Sequence, residues 1–246
     1  MRCYVPPEHW QTGELILPPD ETHHLRTVMR ERVGASVVAF DGAGRFADCE
    51  IVEIDRRSAR LRVIQQHAQP RPVPEFILVQ GLPREQKMDL LIQKATELGA
   101  LSIRPVLTDH SVVRVREEIE ESKRERWQRI ALNAAKQCGA NWAPVVEPVR
   151  PLLACLAEMP RADLLLICSL EPDAKPLREV LQAARDVRPQ SIAALVGPEG
   201  DFSARERAAA RNAGGRAVRL SDSILRSETA ALFVLSVLNY EFADAG

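Results

Sequence analysis

The 246-residue chain is poor in several things, and each absence closes off a class of protein. Its five cysteines (Cys3, Cys49, Cys138, Cys155 and Cys168) are odd in number, scattered, and never arranged as Cys-x-x-Cys. Such spacing offers neither a disulfide framework nor a zinc site, and unpaired thiols imply a reducing, cytoplasmic location. No apolar run approaches the roughly 18 residues that a membrane span needs, so no membrane partner is expected. The stretch from Met1 to Pro7 has none of the long apolar character of a secretory leader. An excess of charge of one sign is also missing: 33 Lys and Arg face 34 Asp and Glu, for a net charge of −1. That balance excludes a generally basic nucleic-acid coat protein and leaves room for a local basic face. Only five of the cations are lysine (Lys87, Lys94, Lys123, Lys136 and Lys175); the rest are arginine, whose planar fork suits phosphate.

Several signatures of chemistry are missing too. The chain has no Gly-x-Gly-x-x-Gly fingerprint for a dinucleotide, no Walker A loop and no Gly-x-Ser-x-Gly hydrolase element. The five histidines, His9, His23, His24, His67 and His110, lack the spacing of metal ligands, so no metal is expected.

What is present is an ordinary globular composition, 46% hydrophobic and 27% charged. Short strand-like runs dominate residues 1–70: Leu15–Leu17, Ser36–Phe40, Ala47–Ile54 and Ala59–Ile64, with Asp41-Gly42-Ala43-Gly44 as a turn between two of them. One helix interrupts them, with Asp20 as its cap and Leu25, Val28 and Met29 as its apolar stripe. Short strands and tight turns at this length predict a small barrel. Prolines 70, 72 and 74 then make residues 71–74 a stiff linker, because proline fits neither a helix interior nor a central strand. From residue 75 to 246 strands and helices alternate, which predicts a mostly parallel sheet covered on both faces. The strands are Phe76–Gln80, Leu101–Leu107, Asp163–Cys168 and Ser191–Val196. Helices run over Glu85–Leu98, through Trp127 to Cys138, around Leu177–Ala184, and from a Ser203-Ala204-Arg205-Glu206 capping box. The last helix, around Ala230–Leu238, is apolar nearly all round and predicts burial on most sides, within the chain or under a second subunit.

In such sheets ligands bind beyond the carboxyl ends of the strands. Two segments fall there. In Val196-Gly197-Pro198-Glu199-Gly200-Asp201 a buried strand enters a glycine–proline turn that allows close backbone approach by a ligand. In Leu220–Ala230 a polar loop carrying Arg226 and Glu228 leads into the apolar helix, where charge is costly unless paired or used.

These two segments, with Leu238-Asn239-Tyr240, His23–Arg30, Phe40-Asp41-Gly42, Lys87-Met88-Asp89, Ile92–Gly99, Glu125-Arg126-Trp127 and Gln137-Cys138-Gly139, resemble the RsmE family. That family comprises S-adenosylmethionine-dependent methyltransferases of the SPOUT superfamily, acting on a uridine N3 of small-subunit (16S) ribosomal RNA. The resemblance covers nearly the whole chain. It implies a PUA-like β-barrel RNA-binding domain over residues 1–70, a knotted α/β methyltransferase domain over 75–246, and a homodimer. Carried over residue by residue, it places the S-adenosylmethionine site at Leu170, at Val196 and Gly197 with Gly200, and at Leu220 with Ile224 and Leu225. The chain departs from the family pattern twice: Asp201 stands where a second glycine is common, and Ser221-Asp222-Ser223 where Gly-Pro-Arg is common.

Methyl transfer from a sulfonium needs neither a metal nor an enzyme nucleophile, but the target imide must lose a proton. Arg226 is the candidate to stabilise the resulting anion, and Glu228 to orient it or accept the proton. Contacts to RNA are expected from Arg26 and Arg30 on the first helix and from Arg84, Lys87 and Lys94 near the linker. A non-catalytic RNA-binding assembly factor with a degenerate α/β domain is the alternative; retained cofactor binding separates the two.

Overall fold

In the computed structural model, residues 1–11, 13–83, 87–111 and 117–242 are described. They form two compact units, one of residues 1–71 with 132–143, the other of residues 72–131 with 144–246.

The first unit is built on a five-stranded sheet. Its strands are β1 (Arg2–Tyr4), β2 (Glu14–Ile16), β3 (Ser36–Phe40), β4 (Arg45–Ile54) and β5 (Ala59–Ala68), in the order β1-β3-β4-β5-β2. The β3–β4 turn holds because the buried Asp41 carboxylate accepts from the backbone N–H of Ala43 (2.7 Å) and Arg45 (3.0 Å). The Arg45 guanidinium then closes on the second oxygen at 2.7 Å. Strand β1 pairs in parallel with β3, an addition that no local pattern announced.

The helix of this unit differs from the sequence expectation. It begins at Pro19, after Pro18, so α1 (Pro19–His23) has no side-chain cap and Asp20 lies inside its first turn. A π-helical turn over His24–Val28 follows. Leu25 is fully buried, whereas Val28 and Met29 point to solvent. The wider turn takes those two side chains off the stripe that a regular α-helix would have presented to the core.

In the second unit eight parallel strands form one sheet: β6 (Glu75–Gly81), β7 (Ala100–Leu107), β8 (Val145–Val146), β9 (Arg150–Pro151), β10 (Leu164–Cys168), β11 (Lys175–Pro176), β12 (Ser191–Val196) and β13 (Arg216–Arg219). The order is β11-β13-β10-β12-β6-β7-β8, with β9 also on β7. Helices α2 (Lys87–Glu97), α3 (Glu117–Cys138, of which residues from Leu132 on belong to the first unit), α4 (Leu152–Glu158), α5 (Leu177–Arg185), α6 (Ala204–Asn212) and α7 (Ser227–Phe242) alternate with the strands.

Strand periodicity sorts the core into two layers. Leu164, Leu166, Ile192, Ala194 and Val196 face the side covered by α2, α5 and α7. Leu165, Ile167, Ala193 and Leu195 face α4 and α6. Burial on both faces explains why these strands read as unbroken apolar runs. Helices α2 and α3 stop at Gly99 and Gly139, both at φ 84°, the left-handed cap that glycine takes without strain. The capping box at Ser203 forms in full: its hydroxyl accepts from Glu206 N–H, and the Glu206 carboxylate accepts from Ser203 N–H at 2.8 Å.

Within the single chain, helix α7 is covered along one side only. It buries Ala231, Val234, Leu235 and Leu238 along one side, while Phe233 and Tyr240 stand exposed. Among the described residues no helix is long and apolar enough to cross a membrane.

Candidate active site

The chain leaves the carboxyl ends of β10, β12 and β13 in three loops that surround one cavity of about 290 Å³. Cys168 to Leu170 form the first wall, Val196 to Glu199 with Asp201 the second, and Leu220, Ser221 and Ser223 to Ser227 the third. Strand ends in a parallel sheet all open on one edge, so residues far apart in sequence converge there.

Close approach governs the second loop. A Cβ on Gly81 would sit 2.5 Å from Pro198 Cδ and 2.7 Å from Pro198 N, so the Gly197–Pro198 turn lies directly on the end of β6. A Cβ on Gly197 would meet Asp201 and Phe202, and one on Gly200 would come 2.9 Å from His110 Cβ. The turn is strapped from β7's loop, where His110 Nδ1 donates to Gly200 O at 2.8 Å. The carbonyl can only accept, so this nitrogen carries the proton. Asp109 accepts from Ser203 Oγ (2.6 Å) and from the Arg205 guanidinium (2.9 Å), fixing the other side of the turn.

Both departures from the resembled pattern are accommodated. Asp201 adopts φ 55°, where glycine is favoured; aspartate is one of the few other residues that take this conformation readily. In the third loop Ser223 N–H donates to Ser221 Oγ at 3.1 Å, a local turn in place of proline's rigidity.

Most of the expected cofactor residues meet at this cavity: Leu170, Val196, Gly197, Leu220, Ile224 and Leu225 all line it. Gly200 does not line it and instead packs on His110. Arg226 lines the cavity, is exposed, and among the described residues makes no side-chain hydrogen bond or ion pair. Glu228 is turned away from it. One carboxylate oxygen of Glu228 meets Lys87 Nζ at 3.3 Å; the other is buried with no partner among the described residues.

Lys87 also donates to Glu199 at 3.1 Å and so bridges two carboxylates. Chiefly through the Glu199 bond, its ammonium is held above the usual lysine pKa. Cys168 is enclosed at the first wall, and loss of solvation, reinforced by the Asp201 carboxylate, pushes its thiol up to about 12. It stays protonated and is no nucleophile at neutral pH.

The residues expected to touch RNA are dispersed. Arg26 and Arg30 are exposed on the π-helical turn and just after it, Arg30 at a strained φ of 58°. Lys94 pairs with Glu97 at 2.8 Å. Arg84 lies outside the described residues. Sequence reasoning missed Gln80, Ser227, Asp109 and His110, which hold the loops. The one signal for Gln80 was a polar residue closing an otherwise apolar strand at the carboxyl edge of the sheet. Among the described residues no group of three or more His, Cys, Asp or Glu side chains could hold a metal.

Comparison with known proteins agrees with this geometry. A family model described as an RNA methyltransferase domain matches residues 69–239, and one described as an RNA methyltransferase PUA domain matches residues 17–64. Ribosomal RNA small subunit methyltransferase E of Bacillus subtilis is 31% identical over 225 residues, covering 90% of this chain and 88% of that protein. The crystal structure of a ribosomal RNA small subunit methyltransferase E from Neisseria gonorrhoeae, bound to S-adenosyl methionine, is 30% identical. It superposes with a TM-score of 0.88 over 100% of this chain and 99% of that one. A methyltransferase from Legionella pneumophila in complex with the same cofactor is 29% identical, with a TM-score of 0.85 over 97% of this chain and 96% of that one.

A parallel α/β sheet with three loops around a cavity at its carboxyl edge, preceded by a PUA-type unit, is thus the architecture of an RNA methyltransferase. Within that class, the chain belongs to the ribosomal RNA small subunit methyltransferase E family.

Proposed function

We propose that the protein methylates N3 of a uridine in small-subunit ribosomal RNA, using S-adenosylmethionine held in the cavity between the three loops. The observation that carries the reading is Arg226, without a partner among the described residues, on the wall of a cavity walled by Leu170, Val196, Gly197, Leu220, Ile224 and Leu225. The cavity fits the group on its own terms: it is lined by apolar side chains suited to a flat base, and Gly197 lies on its wall with no side chain to fill it. When bound, the cofactor supplies an electrophilic methyl group.

The protein's residues do the rest. Backbone groups of the Val196–Gly197 and Leu220–Leu225 loops orient the ligand, and the apolar walls exclude water. Arg226, at the N-terminus of α7 where the helix already favours negative charge, stabilises the imide anion as the uridine proton leaves. Glu228 pairs with Lys87 rather than Arg226, and Glu199, the carboxylate of that cluster that lines the cavity, is the candidate to receive the proton. Exposed Arg26 and Arg30 supply phosphate contacts.

The reading includes a knotted chain path, a barrel-like first domain with the boundary at residues 71–74, a homodimer and action in the cytoplasm. Support for the knot is the return of the Leu220–Ser227 segment onto the Gly197 loop. Support for the dimer is the exposed Phe233 and Tyr240 on α7. The test is methyl transfer from labelled cofactor to unmodified small ribosomal subunits, followed by nucleoside analysis. 3-Methyluridine is expected; a different product refutes the assignment.

A further inference from the structure

Beneath the Gly197 turn lies a buried polar chain that none of the steps above uses. Gln80, next to last in β6, is fully buried. Its Nε2 donates to Gly81 O at 2.8 Å and to Ser227 Oγ at 2.9 Å. Since Gly81 O only accepts, the nitrogen must face it, which fixes the amide's orientation. Ser227 Oγ in turn donates to Gly197 O at 2.5 Å. The hydrogen bonds therefore run one way, from the amide through the hydroxyl to the carbonyl, and each strengthens the next. They join three elements, the end of β6, the loop after β12 and the first residue of α7. Both Gly197 and Ser227 line the cavity; Gln80 does not.

The arrangement is costly. Gln80 Oε1 is buried with no partner among the described residues. An apolar side chain would remove that orphan oxygen but would also take the donor from Gly81 O and Ser227 Oγ, so the amide's gain from its two bonds is offset by its own unpaired oxygen.

We infer that Gln80 is a positioning residue for the methyl transfer: acting through Ser227, it sets the Gly197 carbonyl and so the shape of the cofactor loop. The inference rests on the reading of the cavity as the cofactor site. Gln80 touches no ligand itself. Its effect falls on cofactor binding and leaves RNA binding unchanged.

The experiment is calorimetry with S-adenosylhomocysteine on the full chain, together with initial rates at varied cofactor and varied RNA. Gln80→Leu deletes the donor and the unpartnered oxygen together, so the two lost bonds are partly offset and the melting temperature should fall only modestly. Cofactor affinity should weaken by about five- to tenfold, the worth of one net hydrogen bond. KM for the cofactor should rise in step, with KM for RNA unchanged. Ser227→Ala should lose a similar factor, and Ser227→Thr, which restores a hydroxyl, should recover it. The double variant Gln80→Leu/Ser227→Ala should be little worse than either single one, because both break one chain. Unchanged cofactor affinity in a folded Gln80→Leu, or fully additive losses, overturns the inference. Should Gln80→Leu fail to fold, the contrast between Ser227→Ala and Ser227→Thr decides, and equal affinities there also overturn it. Wild-type protein that binds no S-adenosylhomocysteine refutes the cofactor reading and this inference together; wild-type binding matched by every variant refutes the inference alone.

Discussion

Arg226 offers the most discriminating test of the chemistry. Its side chain is exposed on the cavity wall, one residue before α7, and has no partner among the described residues. Removing it leaves no buried charge stranded, so Arg226→Ala should shift folding stability by no more than about 0.5 kcal/mol. Its functional worth is a different quantity. An oriented charge beside a developing anion typically supplies about 10²- to 10³-fold in rate, roughly 3–4 kcal/mol of barrier. Arg226→Ala should therefore lose most methyl transfer to small subunits while keeping its affinity for S-adenosylhomocysteine and its melting temperature.

The pH profile separates this role from phosphate binding. If Arg226 stabilises the imide anion, its loss moves the rising limb of kcat to higher pH, because the unassisted imide gives up its proton later. A phosphate contact would instead raise KM for RNA, leave kcat in place and reduce the salt slope of binding by about one. Near-normal turnover, or a loss confined to KM for RNA, refutes the anion-stabilising role. Because no Arg226–Glu228 pair exists in this structure, a collapse of the fold in Arg226→Ala would also contradict the argument.

Three further outcomes follow from the same geometry. Lys87→Met should lower the melting temperature at neutral pH, since Glu228 loses the ammonium on its paired oxygen, and Glu228→Gln in that background should repair much of the loss. The Lys87 ammonium is held above the ordinary lysine value of 10.5, so its stabilisation is full below about that pH and disappears as pH climbs through the folded value. Alkaline melting curves should show this step in wild type and not in Lys87→Met; an unchanged alkaline limb contradicts the bridge. Gly81→Ala brings a methyl within 2.5 Å of Pro198 Cδ and should push the cofactor loop outward, weakening S-adenosylhomocysteine binding in calorimetry; unchanged binding would show that the loop can yield. Of the five thiols only Cys138 is exposed, so a thiol reagent should modify one cysteine quickly and the other four only on unfolding, with Cys138→Ser abolishing the fast phase.

Features encoded by neighbouring residues were legible before any coordinates. Apolar runs in β10 and β12, the capping box at Ser203 and the glycine stops at Gly99 and Gly139 all arise from local spacing, and all recur in the fold. The two strand-end loops were legible for the same reason, and the parallel sheet brings them to one edge. Features set by register were not. The Val28–Met29 stripe fails because the π-turn rotates it out of phase, and strand β1 gains its place from a parallel partner far along the chain. Glu228 shows the limit most clearly. Its closeness to Arg226 in sequence suggests a pair, but residues two apart at a helix start point in different directions. The sheet instead delivers Lys87, from just after β6, to Glu228 and Glu199, leaving Arg226 at the cavity with no partner among the described residues. Among the described residues, the arginine and the lysine thus differ: Lys87 bridges two carboxylates and Arg226 pairs with none. An unbalanced cation is what the proposed anion-forming step requires, so under that proposal the long-range Lys87 bridge is what leaves Arg226 available.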